Sequence, residues 1–141
     1  MPGSADGFDD PSLDAQAEQD PGFLDEDFFA TLAPSAPDSR IDAFQAECGE
    51  MGMEVNGLFP SLGADTVRIV AYGVEAAGST DPVAVREAIR SAESIPVMSV
   101  EEISFKGTGS YALREIPVVG FEDGTRTLLQ RDFPENVPDW Q

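Results

Sequence analysis

Hydrophobic positions along this chain switch between alternation and helical spacing, and the switches mark its elements. Asp10-Pro11 offers a capping carboxylate followed by a residue suited to the first helical position. From Leu13 to Gln19 apolar residues are few, so the helix expected there is exposed and weak. In DEDFFATLAP, Phe28, Ala30 and Leu32 alternate with Phe29 and Thr31, which predicts a short buried strand entered from a charged turn. Pro34 and Pro37 then break the chain. PDSRIDAFQAECGEMG restores helical spacing, with Asp38 or Ser39 as cap and Ile41, Phe44, Cys48 and Met51 on one face. Gly49 weakens that helix and Gly52 is placed to end it.

The stretch DTVRIVAYGVEAAGSTDPVAVREAIRSA reads as two helices joined by a very short turn. Leu62, Val67, Val70, Val74 and Ala77 keep to one helical face, widened by Ile69 and Ala71, so the first helix is expected to be largely buried until Gly78 ends it. Asp81 caps the second helix, Pro82 takes its first position, and Val85, Ala88, Ile89 and Ala92 form an inward stripe. The period then shortens. Ile103 and Phe105 alternate, KGTGS turns, and Ile116, Val118 and Gly120 point one way. Glu122-Asp123-Gly124 signals a hairpin whose returning strand holds Thr127 to Gln130. RDFPENVPDWQ, constrained by Pro134 and Pro138, reads as a tail whose Phe133 and Trp140 are available to fold back. No internal repeat is visible. Helix and strand mixed, then helices, then a hairpin make an α/β order that is short of strands for its helices.

Composition narrows what this order can do. The 141 residues are one domain's worth of chain, and 41% hydrophobic with 25% charged content is globular. The charge is extreme: 27 acidic residues against 8 basic ones, of which only Lys106 is a lysine, for a net charge of -19. Such a field opposes nucleic acid as a partner and keeps the chain from anionic membranes. Two readings of the acidity compete: a surface adapted to a salty host, or an acidic interaction surface for a basic partner. No block of five uninterrupted acids supports the second. The N-terminus lacks the charged and apolar regions of a signal peptide, and no apolar run reaches the length of a membrane span.

Catalytic patterns are nearly absent. Without histidine there is no Ser-His-Asp or Cys-His arrangement, and one cysteine cannot build a thiolate cage, so neither a metal nor any other cofactor is expected. Cys48 has no basic partner in view and reads as a small buried helix residue. KGTGS lacks the order of a phosphate-binding loop, and neither Asp9-Asp10 nor Asp25-Glu26-Asp27 matches a calcium loop. An enzyme is not expected. One carboxylate stands out by position: Asp6, in a loop before a glycine and before the first helix, suits either a turn or contact with the ammonium group of a small ligand.

GFDDPSL, DEDFFATLAP, PDSRIDAFQAECGEMG, the helix pair with its AGSTDPVAVREAI, and ISFKGTGSYALREIPVVGFEDGT resemble, in that order, the C-terminal part of the periplasmic substrate-binding proteins of branched-chain amino acid ABC transporters. That resemblance runs over residues 3 to about 130 and rests on the succession of blocks. It implies an incomplete type I periplasmic-binding fold, with helices packed on a partial sheet and a C-terminal β-hairpin. In that family two α/β lobes close on an amino acid or similar small molecule, and the loaded receptor meets a membrane permease. The resemblance divides the chain into residues 1–34 ending one lobe, 35–100 as a helical segment of the other, 101–131 as closing strands and 132–141 as a tail. It makes the helix pair scaffold, and it puts Asp6 where the family's ammonium-binding acid lies.

It also implies that the chain starts midway through the family pattern, with about two thirds of a receptor lying before Met1, so that the 61–77 helix would expose apolar surface prone to association. The expected function is a fragment or truncated form of a solute-binding receptor, periplasmic or extracellular in its parent, and cytoplasmic if complete as given. The competing expectation is a stand-alone acidic interaction module that has lost the ligand pocket.

Overall fold

A computed structural model describes residues 10–25, 27–32, 39–55, 58–109 and 111–134. They form four helices, α1 (Pro11–Gln19), α2 (Ser39–Glu50), α3 (Leu58–Ala77) and α4 (Pro82–Ser91). Six strands accompany them: β1 (Phe28–Ala30), β2 (Ile95–Pro96), β3 (Glu102–Ser104), β4 (Leu113–Arg114), β5 (Ile116–Glu122) and β6 (Thr125–Asp132). The strands make two antiparallel sheets, ordered β1-β5-β6 and β2-β3-β4. The chain divides into two compact units, one of residues 1–61 with 116–132 and one of 62–115 with 133–141.

In the first unit the hairpin β5–β6 turns at Asp123-Gly124, as the sequence predicts, and its returning strand is longer than expected. β1 adds to the other edge of β5, pairing Phe28 with Gly120 and Ala30 with Val118. Both strands bury one face. Phe29 and Thr31 turn inward while Phe28 stays 47% exposed, and the odd-numbered set of β5, Pro117, Val119 and Phe121, faces the core. Ala17 of α1 joins Phe29, Val119 and Phe121 there, with Leu13, Leu24 and Leu128 packed around them. The register shifts beside Val119, because Val118 pairs with Gln130 and Val119 with Leu128. Leu129 is the extra residue of a bulge.

Helix α1 is weakly apolar, and its position depends on a few polar contacts. Asp10 caps it, accepting the Ser12 N–H at 2.7 Å. Hydrogen bonding from Ser12 holds the Asp10 carboxyl below its ordinary range, so this cap is in place at neutral pH and is lost as pH falls through that lowered value. Arg126 of β6 reaches back to Asp14 at 2.8 Å, with its guanidinium 5.5 Å from the Phe29 ring centroid and 5.7 Å from that of Phe121. That ion pair is sheltered and stacked on aromatic faces, unlike an open surface pair. In α2, Cys48 is buried as a free thiol, whereas Met51, expected on the same face, lies past the helix end and is 67% exposed.

In the second unit the core is Ala92, Ile95, Val97, Val100 and Ile103, flanked by Ile69, Tyr72, Ile89, Phe105 and Ala112. Asp81 caps α4, accepting the N–H groups of Val83 and Ala84 at 3.1 and 3.0 Å. The α3 face differs from the expected one. Ser61, Asp65 and Gly73 are its buried positions, with Ile69 and Tyr72 half-buried beside them, while Val67 and Val70 are 69% and 51% exposed. Apolar residues occupy both sides of this helix, so spacing alone did not tell inner from outer. The expected exposed apolar residues of the 61–77 stretch are Val67 and Val70.

Gly73 lets α3 and α4 approach closely. A β-carbon there would come within 2.7 to 2.9 Å of Ile89 and Val85 side-chain carbons. Alanine raises helix propensity by about 1 kcal/mol over glycine, but overpacking against branched side chains costs about 1–3 kcal/mol. Gly73→Ala is therefore expected to lower stability by about 1 kcal/mol, read as a reduced urea midpoint at unchanged slope. A stabilised variant would show that the α3–α4 contact is looser than described.

Candidate functional site

Asp6 lies outside the described residues, so the structure does not place the one ligand-binding residue expected from sequence. Other positions singled out by sequence are placed. Lys106–Gly109 is a turn whose lysine pairs with Glu93, and Asp25 is exposed beside the first sheet. Among the described residues no group of three or more His, Cys, Asp or Glu is placed to hold a metal ion, and no helix is long and apolar enough to cross a membrane.

The strongest polar constellation is inside the second unit and was not anticipated. Asp65, 5% exposed on α3, accepts the Met98 N–H at 2.5 Å and the Ser99 N–H at 3.0 Å on one carboxylate oxygen, and the Ser99 hydroxyl on the other. Ser99 Oγ in turn accepts from Arg114 Nη2 at 3.1 Å. Burial pushes the Arg114 guanidinium below its ordinary value, opposed by the charges of Asp65 and Glu115. The Asp65 carboxylate is committed to three donors, and the Ser99 hydroxyl is committed in both directions. The arrangement pins the apolar segment 97–100 to α3 and gives no sign of a nucleophile. The signal available in the sequence was an acid at position 65 with Ser61 one turn before and Ile69 one turn after, a polar residue on a helix's inner face.

Clefts open to solvent lie in both units among the described residues. One of about 200 Å³ lies against the first sheet, lined by Phe28, Phe121 and Leu129 with Asp27 and Glu122. In the second unit a cleft of about 280 Å³ lies among Glu101, Glu102, Glu115 and Phe133. Another of about 460 Å³ lies between α4 and the turn after β3, with Val85 and Ile89 at its edge toward α3.

No family profile matches the chain, and no curated protein matches it. Among solved structures the chain is similar to a leucine-binding protein from Thermotoga maritima, with a TM-score of 0.59 and 20% identity over 88% of this chain. The chain has a partial type I periplasmic-binding fold. It spans 35% of that protein's length. Within this partial fold, α3 and α4 with the sheet β2-β3-β4 form one compact unit, and the hairpin β5–β6 with β1 belongs to the other.

Proposed function

We propose that this chain is part of a solute-binding receptor for amino acids or similar small molecules, working outside the cytoplasm and delivering ligand to the permease of an ABC transporter. The observation carrying this reading is the likeness to a leucine-binding protein along 88% of the chain. The lack of a nucleophile with a base in the sequence supports binding over catalysis. In this reading Asp6 meets the ligand ammonium, and groups beyond this 35% of the fold hold the rest of the ligand.

The test is calorimetric titration of the chain with leucine, isoleucine and valine, repeated with Asp6→Ala. Saturable binding with a dissociation constant of roughly 1 mM or tighter, weakened at least about tenfold by the substitution, is expected; a tenfold loss corresponds to about 1.4 kcal/mol. No saturable response to any of the three, together with tight and salt-sensitive capture of a basic protein such as lysozyme, would replace this reading with an acidic interaction module.

A further inference from the structure

Helix α4 is covered on one side only. Its inner side meets α3 at Gly73, yet none of its residues is fully buried. Beside that contact opens the 460 Å³ cleft, whose apolar lining is Val85 and Ile89, which also meet α3, together with Phe105, and whose far end is Gly109. Arg86 and Arg90 stand one helical turn apart on the same lining, with β-carbons roughly 6 Å apart. These are two of only eight basic residues in the chain. Arg86 is held at 2.8 Å by its neighbour Glu87, and both are well exposed. Lys106, on the turn across the cleft, is paired with Glu93. Among the described residues, Arg86 and Lys106 are thus paired with neighbouring acids, and Arg90 is the cation of the lining with no ion pair.

The geometry points to a binding site for a small carboxylate with an apolar body, seated on Val85, Ile89 and Phe105 with its carboxylate at Arg86 and Arg90. The volume falls within the range of small-molecule pockets. Arginine forks match carboxylate geometry. A single local positive charge suits a monoanion, because a dianion such as a phosphate ester would meet more of the repulsion from a chain of net charge -19. The apolar lining also gives a sugar phosphate little to bond. This site does not depend on the receptor reading, which places its ligand at Asp6.

The experiment is a 15N NMR titration with 3-phenylpropanoate and, as its neutral counterpart, 3-phenylpropanamide. Saturable shifts confined to amides of residues 83–90 and 105–109 are expected, with the amide compound binding about tenfold more weakly. The surface variant Arg86→Gln/Arg90→Gln should lose about tenfold in affinity at an unchanged circular dichroism spectrum. Asp6→Ala should leave the titration as it is, which separates failure of this site from failure of the receptor reading. Equal binding of acid and amide, an unaffected double variant, or shifts that never saturate would overturn the assignment. A peptide ending in a free phenylalanine carboxylate that binds tenfold tighter than the small acid would overturn it in favour of a peptide end.

Discussion

Asp65→Ala is expected to destabilise the protein by about 3–5 kcal/mol, the range for removing one partner of a buried, hydrogen-bonded charged group. The alanine leaves the N–H groups of Met98 and Ser99 without their acceptor. It also frees the Ser99 hydroxyl and removes a charge that favours ionised Arg114. Each stranded donor carries a desolvation penalty of about 1–3 kcal/mol, and the methyl group recovers little of it. Globular domains of this size hold about 5–15 kcal/mol in all, so the variant should populate unfolded forms in mild urea. Circular dichroism against urea measures this. Adding Arg114→Met should recover part of the loss, because the guanidinium would no longer be half-buried beside a missing partner. A loss below about 1 kcal/mol in the single variant would mean that water replaces the carboxylate and that segment 97–100 is not pinned as described.

Gly124→Ala is expected to cost about 2–3 kcal/mol, for two separable reasons. Gly124 sits at φ 75° in the β5–β6 turn, a conformation that charges alanine about 1 kcal/mol. A β-carbon there would also lie 2.6 Å from the Ala17 carbonyl oxygen and 3.3 Å from the Pro21 α-carbon. Those atoms are backbone, so relief requires moving the end of α1 away from the hairpin. Gly107 provides the control, since its φ is 78° but nothing lies within 4 Å of a β-carbon. Gly107→Ala should therefore cost only the conformational part, about 1 kcal/mol. Equal losses at the two positions would show that the α1–hairpin contact yields without cost.

Local signals carried much of the fold. Asp10-Pro11 and Asp81-Pro82 announce helix starts because a carboxylate and a ring-fixed φ act within three residues, and both caps form as expected. Asp123-Gly124 announces the hairpin for the same reason of locality. Segment 94–100 carried no such signal. SIPVMSV is an apolar run without helical spacing or alternation, yet Ile95, Val97 and Val100 are the centre of the second unit's core. The N–H groups of Met98 and Ser99 are satisfied from 33 and 34 residues away by Asp65, and no local pattern encodes a partner at that distance.

The candidate sites divide in the same way. The sequence analysis did not single out Arg86 and Arg90, which stand four residues apart on α4, and the cleft beside them exists only because β3 and its turn fold across from α4. By itself the sequence determined where helices begin, where the chain turns, its net charge of -19 and the absence of histidine chemistry, since caps, turns and composition depend on residues in hand. The tertiary structure alone decided which side of α3 faces inward. Both sides carry apolar residues, so hydrophobic burial does not choose between them; Asp65, which must bring its bonding partners with it into the core, selects the inner side.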